Sequence, residues 1–116
     1  MTKFVFYKRN GIYYGFRETG HTGFGEEGDD VLCAALSAMT MLLINAIEVS
    51  FASNVDYSID EDSADILFFA RGALPDVEQD EKKRYAVAGL MYGFYLQIEE
   101  LLEEYYDYIE VTEVEE

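Results

Sequence analysis

The 116 residues carry 24 acidic and 8 basic side chains, a formal net charge of −16, and half of them are hydrophobic. This composition excludes intrinsic disorder and argues against direct nucleic-acid binding, which depends on Lys and Arg meeting phosphates, and against anionic membranes. It leaves basic macromolecules as natural partners, held by an attraction that weakens with salt, although the same charge would also serve solubility alone.

The opening stretch, MTKFVFYKRNGIYYG, has no long apolar segment or cleavage site and does not read as a signal peptide. Residues 3–9 and 12–19 read as two strands joined at Asn10-Gly11, a two-residue hairpin turn in which both positions need positive φ. A glycine-rich loop follows. Asp29 or Asp30 can then cap a helix that runs to about Ala52. Apolar residues occupy nearly every face of that helix, so it is expected to be covered on most sides. Its uncharged run, residues 31–47, is at the short edge for a membrane span. Ser37, Thr40, Asn45 and the acidic flanks favour a buried helix instead.

Residues 54–59 alternate, with Val55, Tyr57 and Ile59 on one face, and predict a half-buried strand. After the acidic turn DEDSAD, residues 66–71 are apolar and suited to pairing with it as a hairpin. A connector over residues 72–80 carries the only proline, Pro75. A second helix is predicted from Glu81 to about Tyr106, with Val87, Met91, Phe94, Ile98, Leu101 and Tyr105 as its apolar stripe and Glu99, Glu100, Glu103 and Glu104 opposite. Residues 109–114 alternate again and read as a last strand. The order β-β-α-β-β-α-β over residues 1–116 predicts a single α+β domain. It would be a two-layer sandwich, a mostly antiparallel sheet with two helices packed on one face.

The only histidine, His21, and the only cysteine, Cys33, stand on either side of the glycine-rich loop. A single cysteine allows no internal disulfide and suits a reducing, cytoplasmic setting. With Asp30 as N-cap, Cys33 would be the third helical residue, near the free N–H groups and positive dipole end that favour a thiolate. A charged His21 within reach would stabilise that thiolate and later protonate a leaving amine. Asp30 could orient the imidazole as the third member of a triad does, or cap the helix. A plain alternative is that Cys33 is a small buried hydrophobe and His21 a surface residue. A metal site from His21, Cys33 and Asp29 or Asp30 lacks the clustering such sites need, and no cofactor is expected.

Gly20-His21 followed by Gly28-x-Asp30-x-x-Cys33-Ala34-Ala35-x-Ser37 resembles the signature of the ribosomal-processing cysteine protease (Prp) family. The family pattern is roughly G-H-A, a short gap, then G-x-D-x-x-C-A-A-x-S; Thr22 stands where Ala is usual. The resemblance extends over the whole chain. It implies a cytoplasmic bacterial endopeptidase, usually homodimeric, that removes a short N-terminal extension from a basic large-subunit ribosomal protein. Cys33 would be the nucleophile and His21 the general base. Gly20, Thr22, Gly23, Phe24, Gly25 and Gly28 would form a loop that orders over substrate. Cleavage beside aromatic residues would call for an apolar pocket, for which Phe24, Tyr92 and Tyr95 are candidates; core or dimer packing suits the two tyrosines better. Ser37, one turn after Cys33, would support the helix or pack beneath the site. The competing function is a non-catalytic, acidic assembly factor that holds a basic ribosomal protein and needs neither His21 nor Cys33. A weaker third is a structural dimer with a regulatory redox cysteine.

Overall fold

The computed structural model describes residues 1–20, 27–60, 62, 63 and 65–116, with the backbone alone for residues 27–30. Strands β1 (Thr2–Arg9) and β2 (Ile12–Thr19) form the predicted hairpin. Asn10 and Gly11 both take positive φ, at 51° and 78°, as the two-residue turn requires. Helix α1 spans Glu27–Asn45 and continues as a π-helical turn, Ala46–Ser50. Strands β3 (Asp56–Ile59) and β4 (Ile66–Phe69) follow, then a short 3₁₀ turn at Arg71–Ala73. Helix α2 spans Glu81–Glu104, capped by the Asp80 carboxylate, which accepts from the Lys82 and Lys83 amides. Strand β5 (Ile109–Glu115) completes the order.

Among the described residues the strands make one sheet in the order β3-β4-β2-β1-β5, antiparallel except for β1 with β5. The predicted α+β, two-layer architecture is therefore the observed one. Phe16 lies near the middle of the core. Its ring meets those of Phe94 at 4.8 Å, Phe68 at 5.2 Å, and Phe4 and Phe6 at 6.0 Å. Helix α2 covers β1, β2 and β5 through Val87, Met91, Phe94 and Ile98, all buried as its stripe predicts. The β4–β3 side of the sheet is left to α1, which buries Leu32, Leu36, Leu43 and Ile44.

Register defines two ends of the sheet. At one, Thr2 meets Ile109, Lys3 meets Thr19, Glu18 meets Ile66 and Ile66 meets Ile59. The Asp60–Asp65 turn and the C-terminal half of α2, which leads to Ile109, belong to that end. At the other lie the hairpin turn, Arg71 and the start of α2.

Two expectations change. The long apolar helix is not covered on most sides: Val31, Met41, Leu42 and Val49 are exposed, at 51% to 72%. One sheet face supplies only one layer of contacts, and α2 takes part of that face. Val31–Ser50 remains long and apolar enough to cross a membrane by length and composition, with its inner face in the core. Secondly, β3 is exposed along all four residues rather than half-buried, because it is the outermost strand.

The last strand is tied down by side chains. The Glu113 carboxylate accepts from the Tyr13 hydroxyl and from Lys8 Nζ at 3.1 Å. The Tyr13 ring stacks on Tyr95 at 4.2 Å. Hydrogen bonds from Tyr13 and Tyr95, then Lys8, hold the Glu113 carboxyl down at about 2. A depressed carboxyl adds stability that is complete above its unfolded value of 4.5 and is lost as pH falls toward 2. After discounting for solvent screening at this half-open site, the contribution is about 1 kcal/mol. Glu113→Gln should therefore lower the unfolding midpoint at neutral pH, with the difference from wild type shrinking between pH 4.5 and 2. Thermal unfolding at a series of pH values checks this; a pH-independent difference would exclude the carboxylate as the cause.

Candidate active site

The chain leaves β2 through Gly20, which adopts φ +84°. A Cβ added there would overlap the Met1 carbonyl oxygen, so both the conformation and the close approach call for glycine. His21, Thr22, Gly23, Phe24 and Gly25 lie outside the described residues. Structure is described again where α1 begins at Glu27, so Gly28 and Asp30 are first-turn residues.

That start corrects the capping expectation. Asp30 is the fourth residue of α1 and cannot be its N-cap, and Cys33 is the seventh, not the third. The unpaired N–H groups of a helix belong to its first four residues, and the dipole's influence fades within the first turn. The Cys33 amide falls within the i→i−4 ladder, so the expectation that it donates to an oxyanion lapses. The helix is also a weaker aid to a thiolate than the third position would have made it.

Cys33 is half-buried, between the buried Leu32 and the exposed Ala34. Helix α1 and β3 run in opposite directions. Residues 52–54, just past the π-helical turn, share a cavity of about 450 Å³ with Asp56, at the start of β3, and with Arg71. Cys33 is twelve residues before Asn45, about 18 Å along the axis at 1.5 Å per residue. Strand β3 is only four residues, about 13 Å, long, so Cys33 lies beyond its far end, toward the sheet end from which Gly20 departs.

Other candidates are placed elsewhere. Tyr92 and Tyr95 stack with Tyr13, beside the hairpin turn and away from Gly20, so they pack the fold and do not line a pocket at Cys33. Ser37 is exposed on α1 and does not pack beneath the thiol. Glu18 was not among the sequence candidates. Its side chain is fully buried on β2, at the sheet end where the segment carrying His21 begins. The signal was available: Glu18 shares the inward parity of Phe16, where a carboxylate is unusual.

Basic charge is unevenly placed along the sheet. Lys8, Arg9, Arg71, Lys82, Lys83 and Arg84 gather at the hairpin end, several of them ion-paired there with Glu113, Asp76, Glu116, Asp56 and Glu78, leaving only Lys3 and Arg17 of the eight basic residues toward the other. That other end carries Asp60, Asp62, Asp65, Glu99, Glu100, Glu103, Glu104, Asp107 and Glu110. The end that holds Cys33 is thus flanked by two acidic segments. Among the described residues no group of three or more His, Cys, Asp or Glu side chains is arranged to hold a metal.

Comparison with known proteins agrees with this geometry. The family profile of cysteine protease Prp matches residues 1–110. Over 97 residues the chain is 29% identical to the ribosomal processing cysteine protease Prp of Bacillus subtilis, spanning 84% of this chain and 82% of that one. The crystal structure of SMU.848 from Streptococcus mutans superposes with a TM-score of 0.81 at 30% identity, over 100% of this chain and 99% of that one. An essential ribosomal processing protease Prp from S. aureus, solved in complex with a substrate peptide, superposes with a TM-score of 0.80 over 98% of this chain and 100% of that one. At 18% identity that likeness is one of fold.

Proposed function

The chain belongs to the cysteine protease Prp family, and from that premise we propose that it removes the N-terminal extension of a basic large-subunit ribosomal protein in the bacterial cytoplasm. The Cys33 thiolate attacks the carbonyl carbon of the scissile bond. His21, once protonated, hands its proton to the leaving amine and then activates the water that hydrolyses the acyl-enzyme. The tetrahedral oxyanion is held by backbone N–H groups at the start of α1, where the unpaired donors are. Asp30 orients the imidazole. The glycines at 20, 23, 25 and 28 let the segment between His21 and Cys33 approach a peptide closely. The enzyme acts as a homodimer, for which the exposed apolar face of α1 offers a surface.

The observation that carries this reading is the acidic flanking of the Cys33 end, with most basic residues at the far end. A basic extension is steered to the thiol by that field, and the gain falls with ionic strength. The test is incubation with a peptide spanning an aromatic-containing ribosomal-protein extension, read by mass spectrometry. One cut is expected, and raising salt from about 50 to about 500 mM should raise KM several-fold while kcat stays near constant. Salt-sensitive binding without any cut would move the protein to a holding role.

A further inference from the structure

Among the described residues no strand pairs with the outer edge of β3, and its backbone geometry can be read from two hydrogen bonds. The Asp60 amide donates to the Asp65 carbonyl at 2.9 Å, so this is a hydrogen-bonded pair of the β3–β4 hairpin. Pairs in an antiparallel ladder alternate. With Ile59 opposite Ile66 and Ser58 opposite Leu67, Ser58 and Asp56 point their backbone groups at β4, and Tyr57 and Ile59 point theirs outward. The other side of β4 agrees. The Ala70 amide donates to the Tyr14 carbonyl at 2.7 Å, so Phe68 and Ile66 face β2, leaving Leu67 and Phe69 for β3.

The outward residues also carry the exposed apolar side chains. Tyr57 and Ile59 are 48% and 46% exposed, opposite the buried Phe68 and Ile66, on the sheet face that α1 packs against. Ile59 ends β3 at the sheet end toward which Cys33 lies, and leads into the acidic turn of Asp60, Asp62 and Asp65. One edge thus offers backbone donors and acceptors, two apolar contacts toward the thiol's face of the sheet, and negative charge at its end.

We propose that Tyr57 and Ile59 take the substrate's extension as a sixth strand of the sheet, pairing main chain to main chain at the outer edge of β3. This rests on the protease reading above and adds where the peptide lies. The partner is an extended segment, basic by charge complementarity with the acidic turn. Apolar or aromatic side chains at alternate positions lie beside Tyr57 and Ile59. Strand pairing supplies affinity without reading every side chain, and the alternate side chains supply selectivity.

The experiment is an N-methyl scan of the cleavable peptide with the wild-type enzyme. Blocking one backbone N–H at a time should raise KM about tenfold at every second residue along the paired stretch and little between, with kcat changed less. Ile59→Pro removes an outward N–H without touching the β3–β4 ladder, and should raise KM about tenfold while the fold persists. Cleavage with no alternation in the scan overturns the strand-addition proposal and leaves the protease reading intact. No cleavage of the unmethylated peptide overturns the protease reading and this inference with it. Loss of a dimer on Ile59→Pro, with no alternation in the scan, assigns the edge to a second copy and rejects the proposal.

Discussion

Cys33→Ala should lower kcat for extension cleavage by at least about 10⁴-fold while leaving peptide binding near its wild-type strength. The nucleophile of a cysteine protease is a thiolate, and the only thiol in the sequence is Cys33. Alanine removes one sulfur from a half-buried position on α1 and leaves a good helix former, so the fold should be disturbed by no more than about 1 kcal/mol. His21→Ala should cost about 10³-fold or more, and the double variant little beyond the worse single one, since nucleophile and base act as a unit. Single-turnover cleavage on the three variants separates this from binding, and alkylation of Cys33 should reproduce the alanine result in the wild type. A Cys33→Ala protein that still cuts would end the mechanism outright.

Much of the fold was legible because its signals are local. Asn10-Gly11 announces a hairpin, since few pairs tolerate two positive φ angles in succession. The apolar stripe of α2 falls at helical spacing, and the members at its centre are buried. The exposure of β3 was hidden, because alternation in residues 55–59 tells which side chains share a face, not whether anything covers that face. Sheet order settles that, and order depends on long-range pairing that no short window contains. The start of α1 was missed for a different reason: aspartate is both a strong cap and a tolerable first-turn residue, so Asp29-Asp30 is compatible with either frame.

The site divides in the same way. The residues that would do chemistry, His21 and Cys33, are visible in the sequence as the chain's single imidazole and thiol within one motif. The uneven placement of basic charge along the sheet was not. A net charge says nothing of placement, and the unevenness arises only when β1, the hairpin turn and the start of α2 are brought to one end. Glu18 is the residue most dependent on the fold. Its parity marks it as inward, but only the sheet puts it at the end from which Gly20 departs.

Phe16→Ala should be the most damaging core change, lowering stability by about 3 to 5 kcal/mol. Phe16 has no exposure and meets four other rings: Phe4, Phe6, Phe68 and Phe94. It therefore couples three strands to α2, and surrounding rings this rigid cannot collapse into the space it leaves. A domain of this size holds only about 5 to 15 kcal/mol in all, so the variant should unfold at much lower denaturant, with the slope of the transition preserved. Phe16→Leu keeps most of the volume and should cost less than half as much. The consequence for function follows from register: Phe16 is two residues before Glu18 and four before Gly20, on the strand that leads into the proposed active site. Activity in Phe16→Ala should then fall with the folded fraction and return at lower temperature. Activity lost in a variant that remains folded would mean that Phe16 also sets the position of β2's end, a result that stability measurements alone would not predict.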